Sequence, residues 1–429
     1  MNEGHDPDHS AAVDALYRRI DWRLLPILML SYMLAYIDRI NISFAKIQMQ
    51  QDLGLSEAVY GLAAGMFFIG YVLFEVPSNL LLARIGARRT LSRIMVLWGV
   101  TSTAMLFVDS ASWFYVLRFL LGVFEAGFGP GMLFYLTLWY GPQRRARVIS
   151  HVLLAAPVAG IIGGPVSAWI MSEMAGIGGL AGWQWLFLIE GAPCIAMGAL
   201  LFLWLDDAPA QAKWLSEPER ATIAAQVQGT PSRHSHSFRL VVRDPRVYWL
   251  ALSYFGMVTG LTAMSFWLPT LLRTAGVKVG LALGLYSAAP YAAAVVTMVL
   301  FARHSDRTGE RRWHTVVACL VAGAMLGLAG LTLDRLAICF AALVVAASAT
   351  YAAYTVFWAI ASDYLKGPAA AGGIALINSI GLTGGFVSPT VIGGLRTLTG
   401  SYTAGLGAIS MLLVLGALIL ALIRFPARD

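Results

Sequence analysis

Twelve stretches of this chain are long and apolar enough to cross a lipid bilayer, and that excludes most folds open to 429 residues. A spanning helix needs about 20 mostly apolar residues. The stretches are 22–44, 58–82, 91–108, 112–139, 147–172, 183–205, 247–271, 281–302, 314–332, 336–362, 369–394 and 402–424. Charged residues make up only 12% of the chain, about half the share of a soluble domain. The expected class is an all-α, multi-pass membrane protein.

Lysine and arginine set the sidedness, because cytoplasmic loops collect them. With both termini cytoplasmic, 23 of the 30 fall on the cytoplasmic side and five on the other. The remaining two, Arg39 and Arg118, lie inside the apolar stretches. This distribution accounts for the net charge of +7, so no nucleic-acid partner is expected. The opening MNEGHDPDHS is polar and acidic, and it does not resemble a cleavable signal peptide. Cys194, Cys319 and Cys339 fall in apolar runs and read as small packing residues. The expected division is a cytoplasmic tail (1–21), a six-helix bundle (22–205), a cytoplasmic linker (206–246), a second six-helix bundle (247–424) and a short cytoplasmic tail (425–429). Within the linker, Ser216-Glu217-Pro218-Glu219 has capping-box spacing, so a short helix should run to about Val227. The following GTPSRHSHS reads as disordered, and the linker as a tether.

The two bundles repeat one another. LARIGARR (Leu82–Arg89) returns as SDRTGERR (Ser305–Arg312), an offset of 223. GIIGGPVS from Gly160 returns as GLTGGFVS from Gly381, an offset of 221. Parallel repeats of this kind suit transporters, in which two bundles rock about a central site.

The pattern D-R-x-G-x-R-R, here Asp306, Arg307, Gly309, Arg311 and Arg312, resembles the loop signature of the major facilitator superfamily. An acid there either latches one access state by pairing with arginine or merely sits in a turn. The first copy has Ala83 in place of the acid. Within that superfamily, YIDRINISFA (Tyr36–Ala45), GYVLFEVPSNLLL (Gly70–Leu82), RFLLGVFEAGFGPG (Arg118–Gly131) and WLFLIEGAP (Trp185–Pro193) resemble the anion:cation symporter family. That resemblance implies the major facilitator fold. It also implies uptake of a sugar acid, tartrate or an aromatic acid together with protons.

Charge inside a bilayer costs at least ~2.5–3.5 kcal/mol, so intramembrane ionisable groups are functional candidates. Asp38 and Arg39 are neighbours on span 1 and point about 100° apart, so each needs other company. Span 4 offers Arg118 and Glu125, seven residues apart on one face. Helix rise puts the two arginines at similar depth, with Glu125 about 10 Å deeper. A guanidinium fork suits a carboxylate, and a desolvated acid suits a proton. Arg39 and Arg118 are therefore expected to bind the substrate carboxylate. Asp38 and Glu125 are expected to pair with them when the site is empty and to carry protons when it is loaded. The alternative is two static ion pairs. The family resemblance assigns the same four residues to substrate and proton positions, and adds Tyr36 as a substrate contact. Glu75 and Glu190 read as helix-to-helix hydrogen-bonding acids.

The second bundle lacks this charge: at offset 221, Arg39 and Arg118 face Gly260 and Cys339. Span 10 has Tyr351, Tyr354 and Trp358 on one face, and span 11 has Asn378. These form either a wall for the substrate's organic body or interbundle packing, with Asn378 bonding a substrate oxygen. GFGPG (Gly127–Gly131) and GIIGGP (Gly160–Pro165) are expected to let the first bundle bend.

The resulting expectation is a monomeric inner-membrane symporter for a small organic anion and protons. It has no cofactor, no metal site and no enzymatic motif. The alternatives are an anion antiporter or exporter, and a transporter-like sensor.

Overall fold

The computed structural model describes residues 7–228, 238–365 and 370–423. Among them the α-helices are α1 (Pro7–Leu53), α2 (Glu57–Ile85), α3 (Ala87–Ala104), α4 (Ala111–Glu125), α5 (Phe128–Trp139), α6 (Pro142–Leu153), α7 (Ala155–Glu173), α8 (Gly182–Trp204), α9 (Glu217–Gln228), α10 (Phe238–Arg243), α11 (Pro245–Thr274), α12 (Leu281–Thr308), α13 (Arg312–Leu331), α14 (Leu336–Tyr364), α15 (Ala370–Thr399) and α16 (Tyr402–Leu422). They make twelve candidate membrane spans. Spans 4 and 5 are each built from two helices, α4 with α5 and α6 with α7. An even number of crossings leaves both chain ends at one end of the bundle, here called the termini end, opposite the far end.

Side chains start these helices where the backbone would otherwise leave donors unpaired. Ser56 accepts the Val59 N–H at 3.2 Å, and Asp244 accepts that of Arg246 at 2.9 Å. Leu73, Val76, Leu80, Leu203, Val296, Leu300 and Leu422 are more than half exposed, the arrangement of a protein whose solvent is lipid. The three cysteines are free and buried, as packing residues. At the α2–α4 crossing, a Cβ on Gly122 would run into the Phe67 carbonyl, so only glycine lets these backbones meet.

Two boundaries differ from the expectation. Residues 7–21 are the start of α1 rather than a loose tail, and Val13, Leu16, Tyr17 and Ile20 are buried there. At the other end α1 runs on past residue 44 to Leu53 and takes in Lys46. GTPSRHSHS and the 425–429 tail lie outside the described residues. The linker helix does form, as α9. Glu219 accepts the Ser216 N–H at 2.8 Å and pairs with Arg19 at 2.5 Å. The Ser216 bond, reinforced by Arg19, holds the Glu219 carboxyl below the usual carboxylate range. Trp214 stacks on Trp139 at 6.0 Å, and Arg23 lies 4.9 Å from the Trp214 ring. The linker is therefore docked on the first half at the termini end.

Hydrogen bonds between the two halves gather at the far end. Tyr60 donates to the Phe266 carbonyl at 3.0 Å, Tyr402 to Glu57 at 2.7 Å, and the Ala58 N–H to Thr397 at 3.1 Å. Gly61 and Gly393 face one another across α2 and α15, and a Cβ on either would meet backbone. The far end is sealed.

Candidate functional site

The break in span 4 organises the centre of the molecule. α4 stops at Glu125, Ala126 is extended and Gly127 is left-handed at φ 86°. The expected bend in GFGPG is thus a full interruption, placed at Gly127. Pro130 falls in the first turn of α5, where no intrahelical N–H is missed.

Glu125 sits at the end of the first half-helix, and Arg39 reaches it from α1 to form an ion pair. The Glu125 side chain is 3% exposed and that of Arg39 19%. The Arg39 guanidinium lies 4.9 Å from the Tyr36 ring, 5.3 Å from Phe67 and 5.8 Å from Tyr71. Arg118 also lies over the Phe67 ring, at 5.2 Å, and is 5.8 Å from Phe266 of the second half. It is 1% exposed, and its Nε and Nη2 have no hydrogen-bond partner. The second Glu125 oxygen, Oε2, is likewise unpartnered.

Asp38 departs from the expectation. It does not pair with an arginine but turns into α3. There it accepts from Trp98 Nε1 at 2.5 Å, from Asn41 at 3.1 Å and from the Ser102 hydroxyl. The cause is the 100° step between neighbours: with Arg39 aimed at the interface between halves, Asp38 must face the interior of the first half. Behind it, Ser167 donates to Glu190 at 2.7 Å, the helix-to-helix role expected of that acid.

Tyr354, Trp358 and Asn378 of the second half are brought together by a residue that sequence reading missed, Tyr254 on α11, whereas Tyr351 packs on Tyr291 at 6.1 Å. The Tyr254 ring lies 6.1 Å from Tyr354 and 4.9 Å from Trp358, and its hydroxyl donates to Asn378 at 3.4 Å. Asn378 in turn donates to Glu75 of the first half at 3.0 Å. A tyrosine in mid-span is the signal that points to Tyr254. Lys46 was also missed, although it lies seven residues beyond Arg39, on the same helical face.

The charged loop lies apart from this site, at the termini end. Arg311 pairs with Asp306 at 3.5 Å and with Asp363 of α14 at 2.7 Å. Arg312 donates to the Leu420 and Ala421 carbonyls, and Gly309 is left-handed at φ 68° and ends α12. Arg307 closes the last turn of α12. In the first copy of the loop, which lacks that acid, Asp207 from beyond α8 accepts the Arg88 backbone N–H at 2.8 Å. Among the described residues, no group of three or more His, Cys, Asp or Glu is placed to hold a metal ion.

A family model described as Major Facilitator Superfamily matches residues 28–389. A "Putative tartrate transporter" of Agrobacterium vitis is 46% identical over 94% of this chain and 90% of its own length. "Putative metabolite transport protein NicT" of Pseudomonas putida is 42% identical over 99% and 97%. Among solved structures, the chain resembles a D-xylose-proton symporter with a TM-score of 0.76 at 16% identity, covering 93% of this chain and 97% of that one. It also resembles an inward-facing, unoccupied bacterial homologue of the lysosomal transporter Spinster, with a TM-score of 0.75 at 21% identity, covering 97% of each.

Proposed function

The chain belongs to the Major Facilitator Superfamily, a family of transporters rather than enzymes, and from that premise we propose that it imports an organic carboxylate together with protons. One observation carries the reading: Arg118, buried at the interface between halves, has two guanidinium nitrogens with no partner. An arginine so placed is completed by a planar, two-oxygen anion. Arg39 offers the second fork, once Glu125 gives it up.

In this reading the substrate carboxylate binds between Arg118 and Arg39. It competes with Glu125 for Arg39, and the released carboxylate takes a proton because an unpaired buried charge is unfavourable. Loading and protonation are thereby linked. Tyr36, Tyr354, Trp358 and Asn378 face the organic body, and Asn378 exchanges Glu75 for a substrate oxygen. Asp38, held by three donors, positions span 1 and serves as the second proton site. The termini end faces the cytoplasm across the inner membrane, so the sealed far end makes this the inward-facing state. The Asp306, Arg311 and Asp363 cluster, with Arg307, Gly309 and Arg312, shapes the inner gate. The names of the relatives favour hydroxy-carboxylates such as tartrate as the first substrates to try.

The test is external pH in weakly buffered, de-energised cells producing the protein, with tartrate, gluconate and benzoate added in turn. Alkalinisation by one of them, lost in Glu125→Gln, is the expected result. Exchange of labelled anion without any pH change would overturn the symport reading and make the protein an exchanger.

A further inference from the structure

Lys46 lies about 10.5 Å along α1 from Arg39, towards the far end and on nearly the same face. α2 repeats the step in the opposite direction, with Tyr60 seven residues before Phe67. Lys46 Nζ is 5.1 Å from the Tyr60 ring and 4.2 Å from Trp267. Arg118 and Arg39 both lie against Phe67, and Arg118 also meets Phe266, the neighbour of Trp267. Three cations thus line one seam between the halves, running from the central pair to the far end.

Lys46 is 1% exposed. Its Nζ pairs with Glu57 at 2.8 Å and donates to Thr270 at 3.2 Å and Tyr402 at 3.4 Å. One carboxylate and two hydroxyls therefore surround it, the oxygen set of a hydroxy acid. Glu57 and Tyr60 belong to the first half, whereas Thr270, Trp267 and Tyr402 belong to the second. An opening of the far end would withdraw the second group and leave Lys46 at the mouth with Glu57 and Tyr60.

We propose that Lys46 is a further anion-binding residue, which captures the substrate carboxylate at the open far end and passes it along the seam to Arg118 and Arg39. In the sealed state Glu57, Thr270 and Tyr402 replace the substrate oxygens, so the residue that receives the anion also locks the gate behind it. This inference rests on the carboxylate reading above and deepens it.

The test uses the full-length protein and whichever of labelled tartrate, gluconate or benzoate it carries. Uptake into intact cells is measured for Lys46→Gln and Lys46→Arg, and equilibrium binding of the same probe to the solubilised proteins. The expected result for Lys46→Gln is a KM for uptake raised about tenfold, as for one lost charge-assisted hydrogen bond. Equilibrium binding at the central site stays within about twofold, because that site is intact. Lys46→Arg recovers most of the KM. An unchanged KM in Lys46→Gln, or an equal rise in Lys46→Arg, would overturn this proposal alone. Absence of saturable binding of all three probes to the unaltered protein would overturn the carboxylate reading and this proposal with it.

Discussion

Arg118 and Asp38 show two ways of holding a charge inside a membrane. Asp38 has three hydrogen-bond donors and no arginine in contact, whereas Arg118 has aromatic rings and unpartnered nitrogens. Arg118→Lys keeps the charge but not the fork, so affinity for the carboxylate the protein carries should fall at least about tenfold by isothermal calorimetry. Asp38→Asn presents an N–H₂ to the Trp98 and Ser102 donors. It should cost ~1–3 kcal/mol of stability, read as a lower melting temperature in detergent. Sequence alone marked Arg39, Arg118, Asp38 and Glu125, because charge in an apolar run is conspicuous. The pairing it expected holds for Arg39 with Glu125 and fails for Asp38, since a side chain's neighbours depend on how the helices rotate against each other. Lys46 was overlooked for a different reason: the hydrophobic run fades at residue 44, while the helix continues to Leu53 on tertiary packing.

At the scale of elements, the interruption at Gly127 sets where Glu125 can stand. Gly127→Ala forces a side chain into a left-handed conformation and against Ser78. It should lower stability by ~1–3 kcal/mol and weaken the Arg39–Glu125 pair, as seen in the melting temperature and in the pH profile of uptake. The linker helix gives a pH prediction. The Glu219 carboxyl is held below its ordinary value of about 4.3, so its contribution to docking is present above that value and is lost as pH falls through the lower, folded one. Limited proteolysis of the linker should therefore be unchanged from neutral pH down to that ordinary value, and faster once the pH falls below it. Glu219→Gln should loosen the linker at neutral pH. Span number and linker helix were legible because length and capping residues report them directly. The split of span 4 was legible only as a glycine-rich bend, because φ at Gly127 is decided by the contacts of both half-helices.

For the whole molecule, the sealed far end is a matter of backbone contact as much as of charge. Gly393→Val would push the α15 backbone away from Glu57 and Gly61. With spin labels at the exposed positions Gln51 and Leu398, that variant should shift the distance distribution to longer values, because closure is blocked sterically. The internal repeat was visible in two motifs. The structure adds that the two loops are held differently: Asp306 pairs with the Arg311 side chain in the second, whereas Asp207, from outside the motif, accepts the Arg88 backbone N–H in the first.

The seam between the halves also has an electrical reading. Arg39 and Lys46 each pair with an acid, Glu125 and Glu57. These two pairs carry no net charge of their own, so a membrane voltage acts chiefly on the cargo. A unit charge moved across would feel ~2.3 kcal/mol per 100 mV. A monocarboxylate loaded with one proton keeps the balance at zero, whereas a dicarboxylate loaded with one proton does not. Current recorded from the protein would therefore report carboxylates that travel without a matching proton, and a fully matched cargo would cross in electrical silence.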